Sequence, residues 1–326
     1  MWCIQANVMN QLEQLKKYST VVIDTGDMDA IGNFHPEDAT TNPSLIFKAA
    51  QLPRYQELLQ QVLFDYRHRQ LDVPQVIDRI SVGLGAEILQ LIPGRISTEV
   101  DARLSFDQVA TVQRARQLIA SYEQLKVERE RVLIKIATTW EGIRACAVLE
   151  AEGIHTNMTL IFSLIQAEAA AQSGAFLISP FVGRILDWYQ KNEPERQCAG
   201  ALDPGVQSVK AIYKRFKEQG YATQVMAASF RNLDEIRLLA GCDRLTIAPA
   251  LMQALQQTEA ALECQLQLRD YKRSTQAMVH IDEKRFRWAL NEEVMAHDKL
   301  AEGIRLFTHD LRQLEALIQQ RWQQQQ

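Results

Sequence analysis

The residue with the clearest chemical reading is Lys135, in the run Val132-Leu133-Ile134-Lys135-Ile136-Ala137. On a β-strand successive side chains point to opposite faces, so Lys135 shares one face with Leu133 and Ala137 while Val132, Ile134 and Ile136 share the other. Neither face is wet. If the branched face meets helices, the lysine points inward, where burial disfavours the ammonium form, lowers the pKa and leaves an amine able to attack a carbonyl. That is Schiff-base chemistry. The competing structural reading is a lysine that snorkels from a strand end or pairs with a carboxylate.

Other short runs carry polar residues of one parity near their ends: Ser97 and Glu99, Asn157 and Thr159, with Asp24 and Asn42 closing two more. Asp24 taken alone also fits a turn former or helix cap, and two carboxylates around an amine also fit a structural ion-pair network. Basic residues follow two later runs, in Ser179-Pro180-Phe181-Val182-Gly183-Arg184 and Ala228-Ser229-Phe230-Arg231-Asn232. Both arginines fall where helices begin, and a guanidinium fork beside helix N-terminal amides suits a phosphate. The six histidines have no metal-ligand spacing, so a metal-dependent aldol mechanism has no visible ligands and no metal or cofactor is expected.

Eight runs rich in branched residues would carry these groups: 19–24, 38–42, 94–100, 131–137, 157–163, 176–182, 223–229 and 244–250. Between them lie amphipathic helical stretches, among them 106–125, 140–152, 163–173, 206–219 and 233–239. Alternation of this kind builds a parallel sheet, and eight strands predict a closed α/β barrel of the (β/α)8 TIM type, with functional groups at the C-terminal strand ends. A doubly wound sheet would declare a glycine-rich turn after its first strand, where this chain has Asp24-Thr25-Gly26-Asp27. Gly83-Leu84-Gly85 lies within a helical pattern and is read as close helix packing.

Leu300, Ile304, Phe307, Leu311, Leu314 and Ile318 form one apolar stripe on a long C-terminal helix, expected over 291–322, which could cover the barrel or meet a second copy. Residues 1–17 read as an N-terminal extension or helix, 192–204 as a loop, 126–131 as a solvated loop and 323–326 as a frayed tail. No linker divides the chain, so one barrel domain over 1–326 is expected.

The 326 residues are 47% hydrophobic and 23% charged, which excludes general disorder, and the net charge of -4 has the wrong sign for a nucleic-acid-binding protein. Five dispersed cysteines, Cys3, Cys146, Cys198, Cys242 and Cys264, form no C-x-x-C pair and fit a reducing, cytoplasmic setting. With no run of 18 apolar residues and no signal-like N-terminus, no membrane partner is expected.

The segments VVIDTGD, DATTNPSLI, PGRISTEVDARLS, RVLIKIATTWEGIRA, NMTLIFS, FLISPFVGRILDWY, ASFRN, AGCDRLTIAPAL and DKLAEGIR occur in order from about residue 18 to 317. In them the chain resembles the transaldolases of the pentose phosphate pathway. The resemblance implies a cofactor-free class I aldolase barrel, usually a homodimer, that moves a dihydroxyacetone unit between sugar phosphates. It carries the Schiff-base lysine to Lys135, the acid/base aspartate to Asp24, and the carboxylate and threonine that hold a catalytic water to Glu99 and Thr159. The dihydroxyacetone hydroxyls fall to Asn42, Asn157 and Ser179, and the phosphate and substrate contacts to Arg184, Ser229 and Arg231, with Phe181 lining the pocket. Within the same superfamily, an aldolase releasing free dihydroxyacetone is the rival. Outside it, the rival is a non-catalytic barrel that binds sugar phosphates.

Overall fold

The computed structural model describes residues 9–69, 72–275 and 278–323. Among them, eight parallel strands close into a barrel in chain order: β1 Thr20–Asp24, β2 Asp38–Thr40, β3 Ile96–Glu99, β4 Val132–Ala137, β5 Thr156–Ile161, β6 Leu177–Pro180, β7 Gln224–Ala227 and β8 Arg244–Ile247. The helices are α1 Gln11–Leu15, α2 Met28–Phe34, α3 Pro43–Ala49, α4 Gln56–Arg69, α5 Val73–Ile88, α6 Gln108–Gln124, α7 Trp140–Ala151, α8 Leu164–Gln172, α9 Gly183–Asn192, α10 Pro204–Gln219, α11 Leu233–Leu238, α12 Pro249–Gln256, α13 Glu283–Glu292 and α14 Val294–Gln323. All eight expected strands and the five named helices form, with β5 starting one residue before its run, at Thr156, and α10 starting two residues early, at Pro204, so the TIM-barrel reading holds.

Strand-to-helix turns are set by polar caps. Asn42, Thr139, Ser163 and Asn232 each accept the backbone N–H three residues on, at 3.0, 3.0, 3.3 and 3.0 Å, which satisfies one of the orphan donors of the helix that follows.

The parity argument for β4 is met: Val132, Ile134 and Ile136 join the core between strands and helices, whereas Leu133 packs with Val22, Leu177 and Met226 in a small cluster inside the barrel. At the N-terminal strand ends Arg244 forms a buried ion pair with Asp38, and its Nε donates to Gln224 at 2.5 Å. The interior is therefore plugged by charge below and apolar in its middle, and the polar groups of the strand ends gather at the C-terminal end. Gly85 confirms the packing role of the Gly83-Leu84-Gly85 cluster. A side chain there would collide with the buried Tyr122 of α6, whose hydroxyl bonds Thr98 at 2.6 Å.

All six stripe residues of α14 are buried on the chain's own barrel, so the helix covers the barrel rather than presenting that stripe outward. Gly303 lets it approach Leu160, where a side chain would crowd the leucine's methyl groups at 2.7 Å. Leu160 has a left-handed backbone, φ 56°, at a register shift between Met158 and Ile161; such a bulge re-aims side chains next to a site.

Several boundaries differ from expectation. The C-terminal helix begins at Val294, because Glu293 leaves helical dihedrals (ψ 84°), and residues 291 and 292 end α13. Gln323, expected to begin the frayed tail, continues α14, and Arg321 near its end bonds Gln56; 324–326 lie outside the described residues. Of the N-terminal extension only Gln11–Leu15 is helical, and residues 1–8, with Cys3, lie outside the described residues. The 126–131 run is only partly solvated: Arg131 donates to the carbonyls of Ile92 and Gly94 at 2.7 and 2.9 Å. The 192–204 loop contains a 3-10 turn at Gly200–Leu202.

Candidate active site

Strand register assembles the centre. Glu99 of β3 lies beside Lys135 of β4, which lies beside Asn157 of β5, while Asp24 of β1 lies beside Thr40 of β2. Parallel pairing thus turns residues 16 to 36 positions apart into neighbours on one inner rim. Lys135 is 5% exposed; its Nζ stands 3.3 Å from Glu99 Oε2 and donates to the Thr41 carbonyl at 3.1 Å. The contact with Glu99 is an ion pair without hydrogen-bond alignment, for Oε2 has no hydrogen-bond partner.

Both carboxyls are buried, and burial pushes both upward from their ordinary values. For each, the Lys135 charge is the main opposing influence; at Asp24 the hydroxyl of Thr40, donating to Oδ1 at 2.8 Å, opposes it further. The Thr40 hydroxyl is in turn 2.7 Å from that of Thr246. An amine flanked by two carboxyls of raised proton affinity has a proton acceptor on either side.

Thr159 is fully buried and its Oγ1 has no partner within the protein, so a hydroxyl is left to serve whatever enters the cavity. Asn157, also fully buried, donates to Ser97 Oγ at 3.0 Å and accepts from Ser179 at 2.6 Å. Asn42 spends its Oδ1 on the cap of α3 and keeps its amide NH2 for the cavity it lines.

One cavity of about 190 Å³ collects these groups: Asp24, Asn42, Lys135, Thr159, Ser179, Phe181, Arg184, Ser229 and Arg231 all line it. Two expected residues do not. Glu99 sits behind the lysine, against a second small cavity shared with Asp78 and Arg114, and Asn157 sits beneath Ser179. Their reach to a ligand runs through Lys135 and Ser179.

The basic end is built from Arg184, Ser229 and Arg231. The Arg184 guanidinium lies over the rings of Phe181 and Phe307, 5.0 and 5.4 Å from their centroids, and its buried Nη1 has no hydrogen-bond partner. Burial and the charge of Arg231 both work against its protonated form, which an incoming anion would relieve. Arg231 is half-exposed and forked onto Asp187, with Nη2 at 2.6 Å, while its Nη1 is 3.3 Å from the Ser229 hydroxyl. Ser229 itself has a left-handed backbone, φ 65°. Two of the amides the expected cradle would offer are already spent: Gly183 N–H on the Ser229 carbonyl at 2.9 Å and Arg231 N–H on Glu235 at 2.6 Å.

Sequence reasoning missed Thr40, Thr246, Phe230 and Phe307 among the lining residues. For Thr40 and Thr246 the signal was available, because each shares its strand's inward parity. For Phe307 none was, since a stripe residue on a distant helix looks like any other core residue.

Residues 21–318 match the model of the family described as Transaldolase/Fructose-6-phosphate aldolase. A protein of Stutzerimonas stutzeri (strain A1501) named Transaldolase is 56% identical over 309 residues, covering 95% of this chain and 98% of its own length.

Proposed function

The chain belongs to the transaldolase/fructose-6-phosphate aldolase family, and we propose that it is a transferase that carries a dihydroxyacetone unit between sugar phosphates through an imine on Lys135. The donor and acceptor pairs are sedoheptulose 7-phosphate with glyceraldehyde 3-phosphate and fructose 6-phosphate with erythrose 4-phosphate. The observation that carries the reading is the Lys135 amine, buried inside the barrel 3.3 Å from Glu99 and opening onto the cavity that also holds Asp24 and Arg184.

The amine must be neutral to attack the C2 ketone, and Glu99, raised by burial and adjacent to Nζ, is the acceptor for its proton. Glu99 and the free hydroxyl of Thr159 then handle the water released as the iminium forms. Asp24 takes the proton from the C4 hydroxyl, the C3–C4 bond breaks, and its electrons pass to the iminium nitrogen to give the enamine. Ser179, backed by Asn157, and the amide of Asn42 hold the hydroxyls of the three-carbon unit while the first aldose leaves. The enamine attacks the second aldehyde, and hydrolysis returns Lys135. Arg184, with Ser229 and Arg231, binds the phosphate, and Phe181 walls the pocket.

A single working domain, a homodimer and a cytoplasmic setting complete the reading. The unpaired Cys146, Cys198, Cys242 and Cys264 support the last of these, and no helix among the described residues is long and apolar enough to cross a membrane.

Borohydride trapping with fructose 6-phosphate followed by peptide mass mapping tests the proposal. A stable adduct on Lys135 is expected, with transfer to erythrose 4-phosphate. Free dihydroxyacetone as the main product would instead make the chain an aldolase, and sugar-phosphate binding without an adduct on any lysine would make it a binding barrel.

A further inference from the structure

Beneath the basic end of the cavity two carboxyl groups meet. Asp203 caps α10, its Oδ1 accepting the N–H groups of Gly205 and Val206 at 2.8 and 3.1 Å. Glu235, in the first turn of α11, accepts the Arg231 N–H through Oε2 at 2.6 Å. Asp203 closes the 3-10 turn 200–202, which packs on α11, and this brings it against Glu235; both side chains are buried, and Glu235 Oε1 has no hydrogen-bond partner. Two carboxylates offer only acceptors to each other; the contact is satisfied when one of them carries a proton.

The pair is wedged into the segments that present the basic residues. Gly205 abuts the Val182 carbonyl so closely that any side chain would collide with it. Val182 N–H donates to the Ala228 carbonyl at 2.8 Å and Gly183 N–H to that of Ser229 at 2.9 Å. The start of α10, the turn carrying Arg184 and the loop carrying Ser229 and Arg231 are thus one packed unit, with the carboxyl pair at its base.

We propose that Asp203 and Glu235 share one proton, and that this proton holds the Ser229–Arg231 loop in the geometry that receives the substrate's phosphate. They are positioning residues, and the proposal rests on the phosphate reading of that end. Burial pushes Glu235 up to about 7, the charge of Asp203 adding to it and the hydrogen bond from Arg231 N–H opposing it; burial raises Asp203 as well. Beyond Asp203, the charge acting on Glu235 is the Arg231 guanidinium. Asp234 and Arg237 of its own helix pair with each other at 2.9 Å, and the 3-10 turn 200–202 and α12, both packed on α11, carry no titratable side chain. When the proton departs to solvent, two adjacent anions repel beneath the loop.

The test is KM and kcat for fructose 6-phosphate from pH 6 to 8.5 in the parent and in Glu235→Gln. In the variant, the amide can donate to Asp203 while its oxygen accepts the Arg231 N–H, which reproduces the protonated pair without a titrating group. The parent's KM is expected to rise about fivefold to tenfold through neutrality, the scale of one weakened charge-assisted hydrogen bond, with kcat changing much less. The KM of Glu235→Gln should stay within about twofold across that range, far less than one such bond is worth. Ionisation of the substrate's own phosphate is common to both proteins and cancels in the comparison. Asp203→Asn, which donates from the other side, should flatten the profile too, and decides the matter if Glu235→Gln does not fold. A parent KM that ignores pH, or variants that follow the parent's slope, overturns the proposal. Arg231→Ala separates the two layers: if it leaves KM unchanged the phosphate reading itself fails, and if it raises KM while the slopes coincide, only the shared proton fails.

Discussion

Replacing Lys135 with methionine tests chemistry and electrostatics together, because the side chain keeps its length and loses only its charged end. The cavity offers no second lysine, so imine formation has no substitute and transfer should fall by at least about 10⁵-fold, as when a covalent nucleophile is removed. The stability cost has two parts. Losing the hydrogen bond to the Thr41 carbonyl costs about 1 kcal/mol at any pH. The second part is Glu99, buried, left without its cation and already raised above its ordinary value of 4.5. A carboxyl raised in the folded state contributes stability that is complete below its unfolded value and is lost as pH rises through its folded value. Removing the Lys135 charge, which lowers Glu99, lifts the folded value further, so the variant's deficit widens with pH. At pH 5 it should be about 1 kcal/mol, and by pH 8 about 3–5 kcal/mol, the cost of a broken buried pair. At about 2.1 cal/mol/K per residue, these correspond to a Tm lowered by about 1.5 °C at pH 5 and about 4–7 °C at pH 8. Calorimetry at the two pH values, with a transfer assay sensitive to 10⁻⁵ of parent activity, measures both. More than about 1% residual transfer, or a Tm gap independent of pH, would refute the reasoning.

Asp24→Asn removes the acceptor for the C4 hydroxyl proton but not the amine, so kcat should drop by about 10²–10⁴ while borohydride still traps an adduct on Lys135; absence of the adduct would assign Asp24 to imine formation instead. Arg184→Ala should raise KM for fructose 6-phosphate about 10- to 100-fold and leave binding of unphosphorylated dihydroxyacetone unchanged, a difference read by competition kinetics. If both ligands weaken equally, Arg184 shapes the pocket rather than holding the phosphate. Gly85→Leu drives a side chain into Tyr122 and should cost about 1–3 kcal/mol in calorimetry with the activity of the folded fraction unchanged; an unaltered Tm would mean that α5 and α6 can part freely.

Much of this was legible in the sequence because two of its signals are local. The alternation in VLIKIA places Lys135 on the face of Leu133 whatever the neighbours are, and the repetition of branched runs and amphipathic helices leaves a closed parallel barrel as the economical arrangement. The strand ends then nominate Asp24, Glu99, Asn157 and Thr159. What is not local had to wait for tertiary structure. Sequence cannot say that Glu99 would pair with Lys135 from behind and Asn157 support Ser179 from beneath, because those roles depend on strand stagger and on which rotamers the interior allows. It cannot say that the amide of Gly183 is already spent, since its acceptor, the Ser229 carbonyl, lies 46 residues away and only packing brings it close. Phe307 becomes a wall of the cavity because α14 crosses the barrel at Gly303, and Glu235 comes to Asp203 because the 3-10 turn 200–202 that Asp203 closes packs on α11. The sequence by itself determined the residue types, their parity and the elements that carry them; only the closure of the barrel decided which groups lie within bonding distance, because that distance is set by register and helix packing rather than by separation along the chain.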